Sequence, residues 1–145
     1  MMMMGTRVCA GALALGLAAL AVPAFAVAEP ITGRWVTAEK DAVVSIARCG
    51  KALCGRIERF LVAPPQGNDQ RDVNNSDPAK RNRTLLGTAI LTGLVATGDA
   101  WHGEIYDPKN GKTYTAKVRR KPDGTLEMKG CVGPFCQAQV WKRAG

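Results

Sequence analysis

Residues 100–120, AWHGEIYDPKNGKTYTAKVRR, set large apolar side chains at alternating positions on both sides of one short turn. Trp101 and Ile105 keep an even spacing before it, and Tyr114 and Val118 keep the same spacing after it. A period of two marks a strand with one buried face. Between the two runs, Pro108-Lys109-Asn110-Gly111 is turn chemistry, so the stretch predicts an antiparallel hairpin.

The pattern extends in both directions. ITGRWVTA, AVVSIARC, CGRIERFL and TAILTGLVA precede the hairpin, and GTLEMKG and CQAQVWKR follow it. Turn signals such as Glu39-Lys40-Asp41, Gly50-Lys51, Gly98-Asp99, Pro122-Asp123-Gly124 and Val132-Gly133-Pro134 separate most of them. Short strands joined by tight turns predict an all-β domain in which sequence neighbours pair. Eight of them close most simply as an antiparallel up-and-down barrel, which leaves no exposed edge. Alternation directs Trp35, Val44, Ile46, Ile57, Leu91, Leu126, Met128 and Trp141 inward with the four named above. A barrel of this size is either filled by side chains or holds one small ligand, and both remain open at this point.

The beginning of the chain reads differently. Arg7 is followed by an unbroken run of small and apolar residues ending in Pro23 and Ala26-Val27-Ala28. A basic start, an apolar stretch and an Ala-x-Ala ending make up a secretory leader, so residues 1–28 are expected to be cleaved and 29–145 to form one domain. No membrane-spanning segment is expected after cleavage, and the protein is expected in the periplasm or outside the cell.

That compartment decides how the cysteines are read. Cys9 leaves with the leader, and Cys49, Cys54, Cys131 and Cys136 remain as two equally spaced brackets around turns. In an oxidising compartment they are expected as local disulfides, Cys49 with Cys54 and Cys131 with Cys136, clamping two hairpins. Their spacing is at the upper limit for zinc ligands and exported thiols tend to oxidise, so no metal or other cofactor is expected.

One connection breaks the pattern. Residues 63–87, APPQGNDQRDVNNSDPAKRNRTLLG, are rich in Asn, Asp and Arg. Asp77-Pro78 has the form of a helix cap with proline at the first position, predicting one helical turn from Pro78 to about Asn82. Long connections in compact domains commonly carry function. Arg81 and Arg83 are read in two ways. One is an anion clamp with Asn75 and Asp77; the other, preferred, is an internal clamp tying the loop to Asp77 or Asp107 at the barrel's open mouth. Asp72-Val73-Asn74-Asn75-Ser76 imitates the start of a calcium loop, but Asp77 and Arg83 stand where glycine and glutamate are required.

Several runs together resemble a known family. They are Gly33-x-Trp35, Cys49-Gly50 and Leu53-Cys54-Gly55-Arg56-Ile57, and Asn75-x-Asp77-Pro78-x-x-Arg81-Asn82-Arg83. Gly103-x-Ile105-Tyr106-Asp107-Pro108-x-x-Gly111-Lys112-x-Tyr114 and Trp141-x-Arg143 complete the set. The chain resembles the bacterial secreted domain-of-unknown-function family 2147 across almost all of residues 29–145. The resemblance implies a small lipocalin-like barrel of the cell envelope and no particular activity. It also implies that Trp35 sits at the closed end beneath Arg143, a cation over an indole face.

The remaining chemistry is sparse. His102, the single histidine, lies in a strand between Trp101 and Gly103, and Ser45 lies inside another, so no nucleophile has a base beside it and no catalytic residues are expected. The net charge of +8 is scattered over many strands, with one cluster at Lys117–Lys121 beside a turn. No nucleic-acid motif accompanies it, and a solvated turn is the simplest reading; anionic lipid is the fitting polyanion for an exported protein. The sequence is best read as a binding protein for a small apolar or anionic amphiphilic ligand near the long loop. Asn75, Asp77, Arg81, Arg83, Trp101 and Tyr114 are its candidate contacts. The alternative is a ligand-free envelope protein acting through its surface.

Overall fold

The computed structural model describes Gly5, Gly11 and residues 16–145. The basic start of the expected leader, part of its apolar stretch and Cys9 lie outside the described residues. Eight strands follow in order: β1 Gly33–Val36, β2 Ala42–Cys49, β3 Ala52–Phe60, β4 Ala89–Thr97, β5 Ala100–Asp107, β6 Lys112–Arg120, β7 Leu126–Val132 and β8 Phe135–Arg143. Each pairs antiparallel with its sequence neighbour, and β1 closes on β8 through Trp35 opposite Arg143 and Val36 opposite Lys142. The fold is a closed eight-stranded up-and-down barrel, as the alternation predicts. Among the described residues no helix is long and apolar enough to cross a membrane.

Because the strands alternate in direction, the connections sort into two ends. The β1–β2 turn, the long β3–β4 connection, the β5–β6 turn and the β7–β8 turn share one end, the mouth. The β2–β3, β4–β5 and β6–β7 turns share the other. The N-terminal approach to β1 crosses that second end and closes it. Trp101 Nε1 donates to the Glu29 carbonyl at 2.9 Å, and Ile31 is fully buried beneath the segment.

Trp35 is the centre of the closed end. It is fully buried, its Nε1 donates to the Ile31 carbonyl at 2.9 Å, and the Arg143 guanidinium lies 4.5 Å from its ring centroid. Gly33 makes this stacking sterically possible. Its φ of +131° lies where side chains are rarely accommodated, and a Cβ there would overlap Arg143 Nη1. The Gly-x-Trp pair and the last-strand arginine are therefore one device. Val44, Ile46, Leu91, Val118, Leu126 and Met128 form the buried core with Trp35, each at most 1% exposed. Burial of each such side chain contributes about 1.5–3 kcal/mol.

Cys49 and Cys54 are joined with a Cα–Cα distance of 5.5 Å, and Cys131 and Cys136 with 4.0 Å. The second pair sits directly opposite in register. The first is diagonal: Gly50-Lys51 alone makes the turn, Cys49 pairs with Ala52, and Cys54 pairs with Ala47. The two brackets clamp hairpins at opposite ends of the barrel, which keeps crossed bonds out of reach. Non-reducing peptide mapping should accordingly yield only the 49–54 and 131–136 linked peptides. A crossed peptide would contradict the pairing.

Candidate functional site

The long connection is built around one buried carboxylate. Asp72 is 1% exposed and accepts hydrogen bonds from Tyr106 Oη at 2.5 Å, Asn75 Nδ2 at 2.8 Å and Arg83 Nε at 2.9 Å. Arg83 Nη2 adds a second contact to the same oxygen at 2.9 Å, making a forked ion pair. Its guanidinium also lies 5.6 Å from the Tyr106 ring centroid. Burial, followed by the hydrogen bond to Asp72 and its charge, pushes the Tyr106 hydroxyl up to about 12 from its ordinary 10.0. With the folded value raised, the contribution is complete below pH 10 and is lost as pH rises toward 12.

This arrangement corrects the reading of the arginines. Arg83 ties the loop internally, but to Asp72 rather than to Asp77 or Asp107. Arg81 Nε donates to the Asn75 carbonyl at 2.7 Å. Asp77 serves as a cap, accepting from the Ala79 amide at 3.0 Å, and the turn it starts is a single 3₁₀ turn, Pro78–Lys80, shorter than expected. Asn75 Oδ1 in turn accepts from the Asp77 amide at 2.9 Å. Asn75, Asp77, Arg81 and Arg83 are thus engaged within the loop and its anchor, and none of them lines the cavity described below.

Further contacts join the mouth connections to each other. Asn74 Nδ2 reaches the carbonyls of Pro108 and Lys109 at 3.1 and 3.2 Å, fastening the long loop to the β5–β6 turn. Gly111 lets them meet: its φ is +72°, and a Cβ there would overlap the Asn74 carbonyl oxygen. Gly111→Ala should therefore destabilise the fold by more than about 1 kcal/mol, readable in denaturant melts. An unchanged midpoint would contradict the close approach. From the same turn, Lys109 Nζ pairs with Glu39 and with Asp41, the latter at 2.8 Å. By strand order the β1–β2 and β5–β6 turns lie on opposite sides of the rim, so this pair spans the mouth. Burial opposes the charge on Asp41, but the hydrogen bonds from Lys109 and Thr37 outweigh it and hold the carboxyl below its ordinary range.

Beneath these ties the barrel is hollow. A cavity of about 640 Å³ opens at the mouth, with Ile57, Leu85, Ile90, Ile105 and Trp141 among its apolar walls. Gln137, Gln139 and Tyr114 face it from β8 and β6. Gln137 and Gln139 are exposed although they are in phase with the buried Trp141, because the space they face is open. Gly130 of β7 forms part of the wall beside Tyr114 and Ile105. A smaller recess shares Tyr114, Gly130 and Gln137 and continues to Val132 and Phe135 at the β7–β8 tip, which are 64% and 80% exposed. Of the six contacts expected from sequence, Tyr114 alone lines the cavity. Trp101 faces inward but lies at the closed end, since alternation specifies a face and not a depth.

Residues 33–143 match the model of a family described as an uncharacterized protein conserved in bacteria (DUF2147). The chain belongs to this family. Among solved structures it is similar to protein HP1028 from the human pathogen Helicobacter pylori, described as belonging to the lipocalin family. The TM-score is 0.68 at 22% identity, covering 80% of this chain and 84% of that one. At that identity the likeness speaks for the fold. No curated protein sequence matches the chain. The family name carries no activity, so the reading of function falls back on the cavity.

Proposed function

We propose that this barrel binds one small apolar or amphiphilic molecule in its cup, as an exported protein of the cell envelope. The cavity carries the reading. At about 640 Å³ it falls within the range of small-molecule sites, roughly 300–1,000 Å³, and it combines apolar walls with a few polar groups. The lipocalin-like fold is compatible with such a role. Export is supported by the two cysteine pairs and by Leu17, Leu20, Val22, Phe25 and Val27, which are between 78% and 97% exposed. Side chains of that kind left in water suit a leader that is removed, and the packed contacts begin at Glu29.

Native mass spectrometry of protein purified gently from the bacterial envelope tests the reading. The expected spectrum shows a mass excess equal to one small organic molecule, removed by solvent extraction. Bare polypeptide in every preparation would count against it. That outcome would favour action through surface contacts, for which exposed Val132 and Phe135 at the β7–β8 tip are the natural patch.

A further inference from the structure

We infer that the molecule taken by this cup has an uncharged, hydrogen-bonding head and an apolar tail; the inference rests on the binding reading above. Three neutral groups are placed to receive such a head. The Gln139 Oε1 accepts from Trp141 Nε1 at 2.9 Å, which orients the amide and leaves its NH₂ to donate. Tyr114 Oη accepts from Asn110 Nδ2 at 2.8 Å, which leaves its own hydrogen to donate. The Gln137 amide has no hydrogen-bond partner among the described residues and offers both a donor and an acceptor. Beside these groups Ile57, Ile90 and Ile105 offer apolar surface for a tail, and Trp141 lies deeper along β8.

An ionised head finds most charges of the lining already engaged by the protein. Arg83 and Arg81, the residues that suggest an anion in the sequence, are held by Asp72 and the Asn75 carbonyl and lie off the lining. Glu39, Asp41 and Asp107 line the cavity against only two cations, Lys109 and Arg71. Lys109 is paired with Glu39 and Asp41, while Arg71 Nη1 is drawn to the Asn82 carbonyl at 3.0 Å. An anionic head would lose water against a rim of net negative charge, and its burial unpaired is costly. A cationic head fares little better. Two of the three carboxylates already hold Lys109, and Asp107 Oδ1 accepts from the Lys109 amide at 2.9 Å.

Calorimetric titration of the purified, delipidated protein with three twelve-carbon amphiphiles at pH 8 separates the cases. The amphiphiles are monolauroylglycerol, laurate and dodecylammonium, each below its aggregation threshold. The laurate carboxyl is fully ionised at that pH. Monolauroylglycerol is expected to bind at least about tenfold more tightly than either ion, the equivalent of one well-made hydrogen-bonded contact. In a Gln137→Leu, Gln139→Leu double variant, that preference should shrink toward parity. An ion that binds as tightly as the glyceride, or an unchanged preference in the double variant, overturns the head-group inference while leaving the cup in place. The absence of saturable binding by all three overturns both.

Discussion

Replacing Asp72 with alanine is expected to lower stability by about 3–5 kcal/mol, the range for removing one partner of a buried charged pair. The carboxylate is 1% exposed, and three side chains converge on it from 3, 11 and 34 residues away. Without it, Tyr106 and buried Asn75 lose their acceptor, and a buried polar group left unmatched costs about 1–3 kcal/mol. The Arg83 side chain is 36% exposed and can rehydrate, which places the expected loss toward the lower end. Asp72→Asn keeps the shape but gives up the charge, and should cost less. Arg83→Ala leaves Asp72 with two donors and should cost about 1.5–3 kcal/mol, the value of a charged hydrogen bond. In denaturant melts of the three variants, Asp72→Ala should be the least stable, with Asp72→Asn and Arg83→Ala milder. An Asp72→Ala melt within about 0.5 kcal/mol of the parent, the range of ordinary surface substitutions, would show that the loop is not anchored there.

Trp35→Ala should have an effect of the same size for an apolar reason. Removing a fully buried tryptophan typically costs about 3–5 kcal/mol through lost transfer energy and the cavity left behind. Here the Ile31 carbonyl also loses its donor, and Arg143 loses the ring it covers. For a domain of this size the thermal midpoint should fall by roughly 10–20 °C. Trp35→Phe keeps an aromatic face under Arg143 and should recover part of the loss. A midpoint that falls by less than about 3 °C in the alanine variant would mean that the closed end does not depend on this packing.

The barrel itself is legible in the sequence because alternation is a local signal and tight turns force neighbours to pair. Ile57, Ile105 and Val118 are inward and buried as their spacing predicts. The first strand is shorter than its apolar run suggests: Ile31 precedes it and plugs the closed end, where it belongs to a crossing segment rather than to the ladder. The anchor of the loop is not legible. Asp69, Asp72, Asp77 and Asp107 are chemically equivalent partners for an arginine, and only the path of the loop brings Asp72 alone to Arg83 and Tyr106. Gln137 and Gln139 are within reach of the sequence. They stand four and two residues before Trp141 and share its face, but polar residues on an inward face make sense only once the interior is known to be open.

Whether the cup is a binding site is tested most directly by filling it. Gly130 belongs to the wall, and a Cβ there would meet only ordinary contacts, 3.6 Å from Ile105 and 3.7 Å from Tyr114. Gly130→Leu should therefore put a side chain into the cavity without displacing the sheet. Titration of the neutral fluorescent probe N-phenyl-1-naphthylamine into parent and variant, with thermal melts alongside, is the measurement. The expected result is saturable one-site binding in the parent, weakened at least about tenfold in Gly130→Leu at an equal or higher thermal midpoint. Equal binding by the two proteins, or no saturable binding by the parent, would contradict the cup as the site.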